Sequence, residues 1–226
     1  MIKILVLGVI LSLSSFSFAQ SITVGVMPFA NNSLSGKEAV EPLSKGLADM
    51  MMTELAKIKA LKVIERSQLD KIMRELNLSM SGVVDDASLK EAGKMLGADM
   101  LLLGSFNQGF DNDIRIDARL VKVETGETVK AEEVTGKTKK LFKLVQKLSF
   151  KIADHLNLKL SKDEKNAIEE SDNEEMEALM CFSKGLDTED KGDLAGAKAL
   201  YEKALSINPK YSRAKKQLEA LNGKLK

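Results

Sequence analysis

The sequence predicts a mixed α/β domain followed by a small all-α unit. Three observations carry this. Between residues 20 and 160, short apolar runs of strand length alternate with segments of helical apolar spacing, in the order β-α-β-α-α-β-β-β-α. A strongly acidic stretch at 161–177 then interrupts the pattern. From 178 to 226 only helical spacing remains.

Residues 1–19 read as a signal peptide. Lys3 gives a positive start, Ile4 to Leu13 an apolar run, and Ser17 and Ala19 small residues before Gln20. The run is too short for a spanning helix, which needs about 20 apolar residues. No cysteine follows it, so the expectation is an exported, periplasmic, non-lipidated chain with no membrane-spanning segment. Without Lys3 the basic and acidic residues balance, since the whole chain has 34 Lys and Arg against 33 Asp and Glu. That balance argues against nucleic acid as a partner, because counterion release needs a cationic excess. Cys181 is the one cysteine, so no internal disulfide is available.

Element by element, ITVGVMPF (22–29) is a β-rich run closed by Pro28 and the loop residues Asn31, Asn32 and Ser33. Ser35 and Glu38 predict a capping box for a helix in which Ala39, Leu43, Leu47, Met51 and Leu55 repeat every four residues. Leu61, Val63 and Ile64 form a short strand. From Ser67 the period becomes helical through Leu69, Ile72, Met73 and Leu76, with Ser67 and Asp70 as the expected cap. A shorter amphipathic segment carries Leu89, Ala92, Met95 and Leu96 and closes at Gly97. ADMLLLGSF (98–106) reads as a buried strand, IRIDARLVKV (114–123) as an alternating one, and ETVKAEEVTGKT (127–138) as a third after the turn Thr125–Gly126. A helix over 139–156 places Leu141, Leu144, Val145, Leu148 and Ile152 on one face. The acidic stretch is expected to be a linker or a solvated helix.

In 178–211, Gly185, Ala197, Tyr201, Ala204 and Pro209 fall at the offsets of a tetratricopeptide repeat. Small residues there let two helices approach while Tyr201 fills the gap between them. Tyr211, Ala214, Leu218 and Leu221 continue as a capping helix. One repeat buries little surface, so this unit is expected to lean on the first domain or on another molecule.

Four stretches, VGVMPFANNS (24–33), KVIERSQLDKIMRE (62–75), GADMLLLGSF (97–106) and LVKVETGETV (120–129), resemble the CsgG-like family of bacterial envelope proteins. The resemblance implies the α/β fold and a role in envelope assembly or secretion. The curli channel of that family carries membrane-spanning hairpins, and each spanning strand needs about 9–11 residues. At the corresponding places this chain has only Asp111–Asp113 and Lys137–Lys140. A soluble core without a pore is therefore the expectation.

Chemistry-bearing candidates are few. Glu65 and Arg66 sit where strand gives way to helix and read either as a charged lip on a cleft or as helix-cap chemistry. His155 adjoins Asp154 on a helix, where consecutive side chains diverge by about 100°, so the pair is no dyad. Cys181 has the place of a small buried hydrophobe. Met50, Met51 and Met52 also diverge, which favours packing over a copper site. Asp111, Asn112 and Asp113 open like a calcium loop but meet Ile116 and Lys122 where glycine and glutamate belong. Gly104 to Gly109 lacks the lysine of a phosphate loop. The acidic stretch and the basic 207–226 suggest charge pairing within or between molecules.

No catalytic, metal or cofactor site is expected. The expected function is that of a non-enzymatic scaffold or regulator of an outer-membrane-associated assembly, working by self-association and partner binding. Expected contact residues are Pro28, Asn31, Asn32, Arg66, Lys184 and Lys191. The alternatives are an adaptor whose α/β domain is only a platform, and a small-ligand or metal-binding protein.

Overall fold

The computed structural model describes residues 21–78, 85–109, 111–170 and 175–224. The expected signal peptide, and residues 171–174 of the acidic stretch, lie outside the described residues. In chain order the elements are β1 (Ile22–Val26), β2 (Ala30–Asn31), α1 (Lys37–Val40), α2 (Leu43–Leu55), β3 (Leu61–Val63), α3 (Arg66–Glu75), α4 (Asp86–Leu96), β4 (Met100–Gln108), β5 (Asp113–Lys122), β6 (Thr128–Lys137), α5 (Leu141–His155), α6 (Lys162–Glu169), α7 (Met176–Asp190), α8 (Leu194–Ile207) and α9 (Ser212–Lys224). The α/β class and its order of elements are as the apolar spacing predicts.

The sheet runs β3-β1-β4-β5-β6, with β2 pairing separately on β4. β1 lies parallel to both β3 and β4, while β4, β5 and β6 form an antiparallel meander. α2 and α5 supply one hydrophobic layer, with Leu47, Met51, Leu148 and Ile152 against Val26, Leu102 and Ile116. α3 and α4 supply the other, with Leu69, Met73 and Leu89 against Leu101 and Leu103.

Several local expectations shift, each for a physical reason. Pro28 has no N–H for a ladder, so the first strand ends at Val26; the Phe29 amide donates to the Ser44 carbonyl and β2 resumes beside β4. The helix expected from Ser35 is split before Pro42, and Gly36 in a left-handed conformation (φ 61°) precedes α1 without a side-chain cap. The Ser35–Glu38 capping box is thus not formed. Glu65 rather than Ser67 stands at the N-cap position of α3, two residues earlier and without a side-chain cap bond, and Asp70 turns toward Arg66. Met95, placed on the apolar stripe by spacing, is 48% exposed. Met50 and Met51 are core residues, and Asn112, at φ 54°, sits in the turn that opens β5.

The first part of the acidic stretch, through Glu169, is a helix docked on the core. Ser161 accepts from the Glu164 amide, and the Glu164 carboxylate accepts from the Ser161 amide, closing a capping box. The same carboxylate accepts from the Lys59 amide at 2.8 Å, far away in sequence. Ile168 is fully buried in the main core, and Gln146 donates to its carbonyl at 2.7 Å. Ile168 and the inward-facing Glu164 seat α6, while Asp163 and Glu169 stay exposed.

α7, α8 and α9 enclose a core of their own around Phe182, Tyr201 and Tyr211. A Cβ at Gly185 would lie 2.4 Å from the Tyr201 ring, so glycine there sets how closely α7 and α8 pack. Asp193 caps α8 by accepting from the Gly196 amide.

Candidate interaction site

The helical unit is seated on the α/β domain through α2 and α3. At the centre, Gly46 of α2 faces Ser183 of α7 with no room for a side chain. Around this contact lies a largely buried charge cluster. Lys45 of α2 is 2.8 Å from Asp187 and 2.7 Å from Asp190, both on α7. Arg66 of α3 reaches the same Asp190 at 2.5 Å and donates to the Leu186 carbonyl at 3.4 Å. Asp70, one turn along α3, is 3.5 Å from Arg66. Arg213 of α9 closes the far side against Asp49 of α2 at 3.0 Å, its guanidinium lying over the rings of Phe142, Phe182 and Tyr211.

Lys45 and Arg66 thus face three carboxylates, and Lys191 adds a third cation at Asp187. Burial pushes the Asp70 carboxyl up to about 6, against the pull of Arg66 and with help from the Asp190 charge. Burial disfavours the Arg66 cation, yet Asp70 and Asp190 outweigh it and hold the guanidinium above its ordinary range. Burial likewise raises Asp187 and Glu189, but Lys191 and Lys45 in the first case, and Lys224, Gln217 and Tyr201 in the second, bring both below the usual carboxylate range.

Beside this cluster a cleft of about 650 Å³ opens between α3 and α9. Met52, Val63 and Leu194 are half-buried apolar residues on its walls, and Glu65, Arg74 and Lys216 stand exposed at it. The Glu65–Arg66 step therefore divides in two: Glu65 faces the cleft, while Arg66 bridges the two units.

The other expected contact residues are scattered. Pro28 and Asn31 are buried, and the Asn31 side chain donates to the Lys37 carbonyl and to Glu41, which fixes the loop rather than presenting it. Asn32 is exposed and its amide donates to the Phe106 carbonyl at 2.8 Å. Lys184 is exposed on α7, and Lys191 pairs with Asp187 at 2.6 Å. Only Arg66 bridges the two units; Lys191 reaches the cluster through Asp187, four residues before it. Sequence reasoning missed Lys45, Asp187, Asp190 and Arg213. Their one local signal is charge on otherwise small-residue or apolar helix faces, and their partners are more than a hundred residues distant.

Catalytic geometry does not assemble around the titratable candidates. His155 Nε2 meets Glu132, which also takes Lys151 at 2.5 Å, and Cys181 is buried among the helical-unit core. Among the described residues no group of three or more His, Cys, Asp or Glu could hold a metal, and no helix is long and apolar enough to cross a membrane.

With this geometry in place, comparison with known proteins gives a family match over residues 10–115, to the model described as curli production assembly/transport component CsgG. Residues 10–115 are thus similar to that family model. No curated protein matches the chain. Among solved structures, the LpoB C-terminal domain from Salmonella enterica is 21% identical over 54% of this chain and 87% of its own, with a TM-score of 0.37. Lipoprotein GNA1162 from Neisseria meningitidis is 15% identical over 58% of this chain and 96% of its own, with a TM-score of 0.44. A PelC dodecamer from Paraburkholderia phytofirmans is 16% identical over 63% and 91%, with a TM-score of 0.38.

The CsgG-like match ends at Arg115, just inside β5. It takes in three of the four stretches that carry the sequence resemblance; LVKVETGETV lies beyond it. α2 and α3 belong to the matched segment and α7 and α9 do not. The junction therefore joins helices inside the matched segment to helices outside it.

Proposed function

We propose that this chain is a non-enzymatic, exported envelope protein that scaffolds or regulates an assembly at the outer membrane through self-association and partner binding. The CsgG-like match over 10–115 carries this reading. The α/β domain supplies the platform, and the helical unit, read as a single tetratricopeptide-type repeat with a capping helix, supplies a surface for a partner helix or extended peptide. Light scattering behind size-exclusion chromatography on residues 20–226, without detergent, tests it. A discrete oligomer is expected; a monomer at every concentration removes self-association from the account.

The adaptor reading, in which the helical unit does all the binding, is favoured by the close seating of Tyr201 over Gly185. This is the small-residue packing that a helical repeat needs. It leaves the α/β domain as a support, and it is the reading to which a monomer would lead.

A further inference from the structure

The docking contacts leave the cleft between α3 and α9 open, and they use up its acidic side chains. Asp49 is held by Arg213, Glu189 by Lys224, and Asp190 and Asp70 by Arg66. Of the carboxylates lining the cleft only Glu65 has no ion pair among the described residues. Two exposed cations, Arg74 and Lys216, have none either. Across the lining as a whole cations and carboxylates are equal in number, so the charge left unpaired at the opening is Arg74 and Lys216 against Glu65.

The shape suits an extended chain. Ala56, Ser67 and Ala220 are small exposed residues in the lining, and Met52, Val63 and Leu194 leave apolar surface between them. The volume lies within the range of ligand sites, about 300–1,000 Å³. Nucleic acid fits less well: the one aromatic in the lining, Phe182, is buried, and stacking on exposed rings is what single strands need.

We propose that this cleft holds an acidic, extended peptide segment of a partner protein, its apolar side chains between α3 and α9 and its carboxylates at Arg74 and Lys216. The proposal rests on the partner-binding reading above and names the class of partner. Exposed charges of this kind act mainly on encounter rate and selectivity and are weakened by salt.

The test is selection of a displayed library of random dodecapeptides on the full chain, followed by binding of the enriched peptides in solution. Peptides rich in Asp and Glu with interspersed apolar residues should be enriched. The double variant R74E/K216E should bind them at least tenfold more weakly and prefer their Lys-substituted counterparts. Reversal of the exposed, remote Lys147 and Lys159 should change nothing. Both pairs are exposed and free of ion pairs among the described residues; Arg74 also acts on Asp70 at longer range, so the single variant K216E, whose thermal unfolding should match the wild type, is measured beside the double one. No enrichment, enrichment of neutral or basic peptides, binding indifferent to R74E/K216E, or equal binding of single-stranded DNA of the same charge would each overturn the proposal. Such failure with a discrete oligomer retained would leave the scaffold reading standing. Acidic-peptide binding by a strict monomer would do the reverse.

Discussion

Gly46 of α2 lies so close to Ser183 of α7 that a Cβ at position 46 would stand 2.0 Å from the Ser183 Oγ and 3.1 Å from its Cβ. Two helices from different parts of the chain meet backbone to side chain, and the Ser183 hydroxyl is buried with no hydrogen-bond partner among the described residues. The contact fixes how deeply the helical unit sits.

G46A should therefore destabilise the protein by roughly 1–3 kcal/mol from overpacking, even though alanine is the better helix former by about 1 kcal/mol. S183A alone should be near neutral, since it removes an unpaired polar group. The double variant G46A/S183A should recover most of the loss in urea denaturation. Equal losses in G46A and the double variant would show that the hydroxyl is not what crowds the site.

Breaking the bridge between the units should cost more. Arg66 and Asp190 are mostly buried, with side-chain exposures of 16% and 14%. R66M leaves Asp70 without its guanidinium but Asp190 still beside Lys45, so the loss should lie at the low end of the roughly 3–5 kcal/mol that removing one partner of a buried pair costs. Chemical denaturation reads the loss directly.

Asp70 gives the junction a pH dependence of unusual sign. Its folded pKa, about 6, lies above the ordinary 3.8. The stability it contributes is thus fully present below the unfolded value and lost as pH rises through about 6. Stability should rise from pH 7.5 to pH 5. It should fall again in stronger acid, where Glu132, Glu164, Asp187 and Glu189, all held below their usual values, protonate. D70N should flatten the rise between pH 7.5 and 5 in thermal melts while keeping the acid limb.

I168A should cost about 2–5 kcal/mol, as large-to-small changes in a core do. A solvated helix would register no such loss, so the same denaturation curve tests whether α6 belongs to the body of the domain.

The elements of the α/β domain were legible because each carries its own period: Leu47, Met51 and Leu55 on α2, or Ile114, Ile116 and Ala118 on β5. What was not legible depends on distance along the chain. Ile168 follows Ala167 among acids, and two adjacent apolar residues set no helical period; only the surface beneath it makes Ile168 core. Arg66 looked like a helix-start charge because its partner, Asp190, is 124 residues away. Pro28 and Asn31, singled out as loop residues, are buried because the short β2 pairs with β4, and a two-residue strand leaves no periodic signal.

The central claim is that the helical unit and the α/β domain form one folded body. Native-state hydrogen exchange on the full chain measures this most directly. The account predicts that amides of α2 and α7 share one high opening free energy, and that R66M lowers both together. Exchange of α7 to α9 through a separate, much easier opening, with α2 unaffected by R66M, would contradict it.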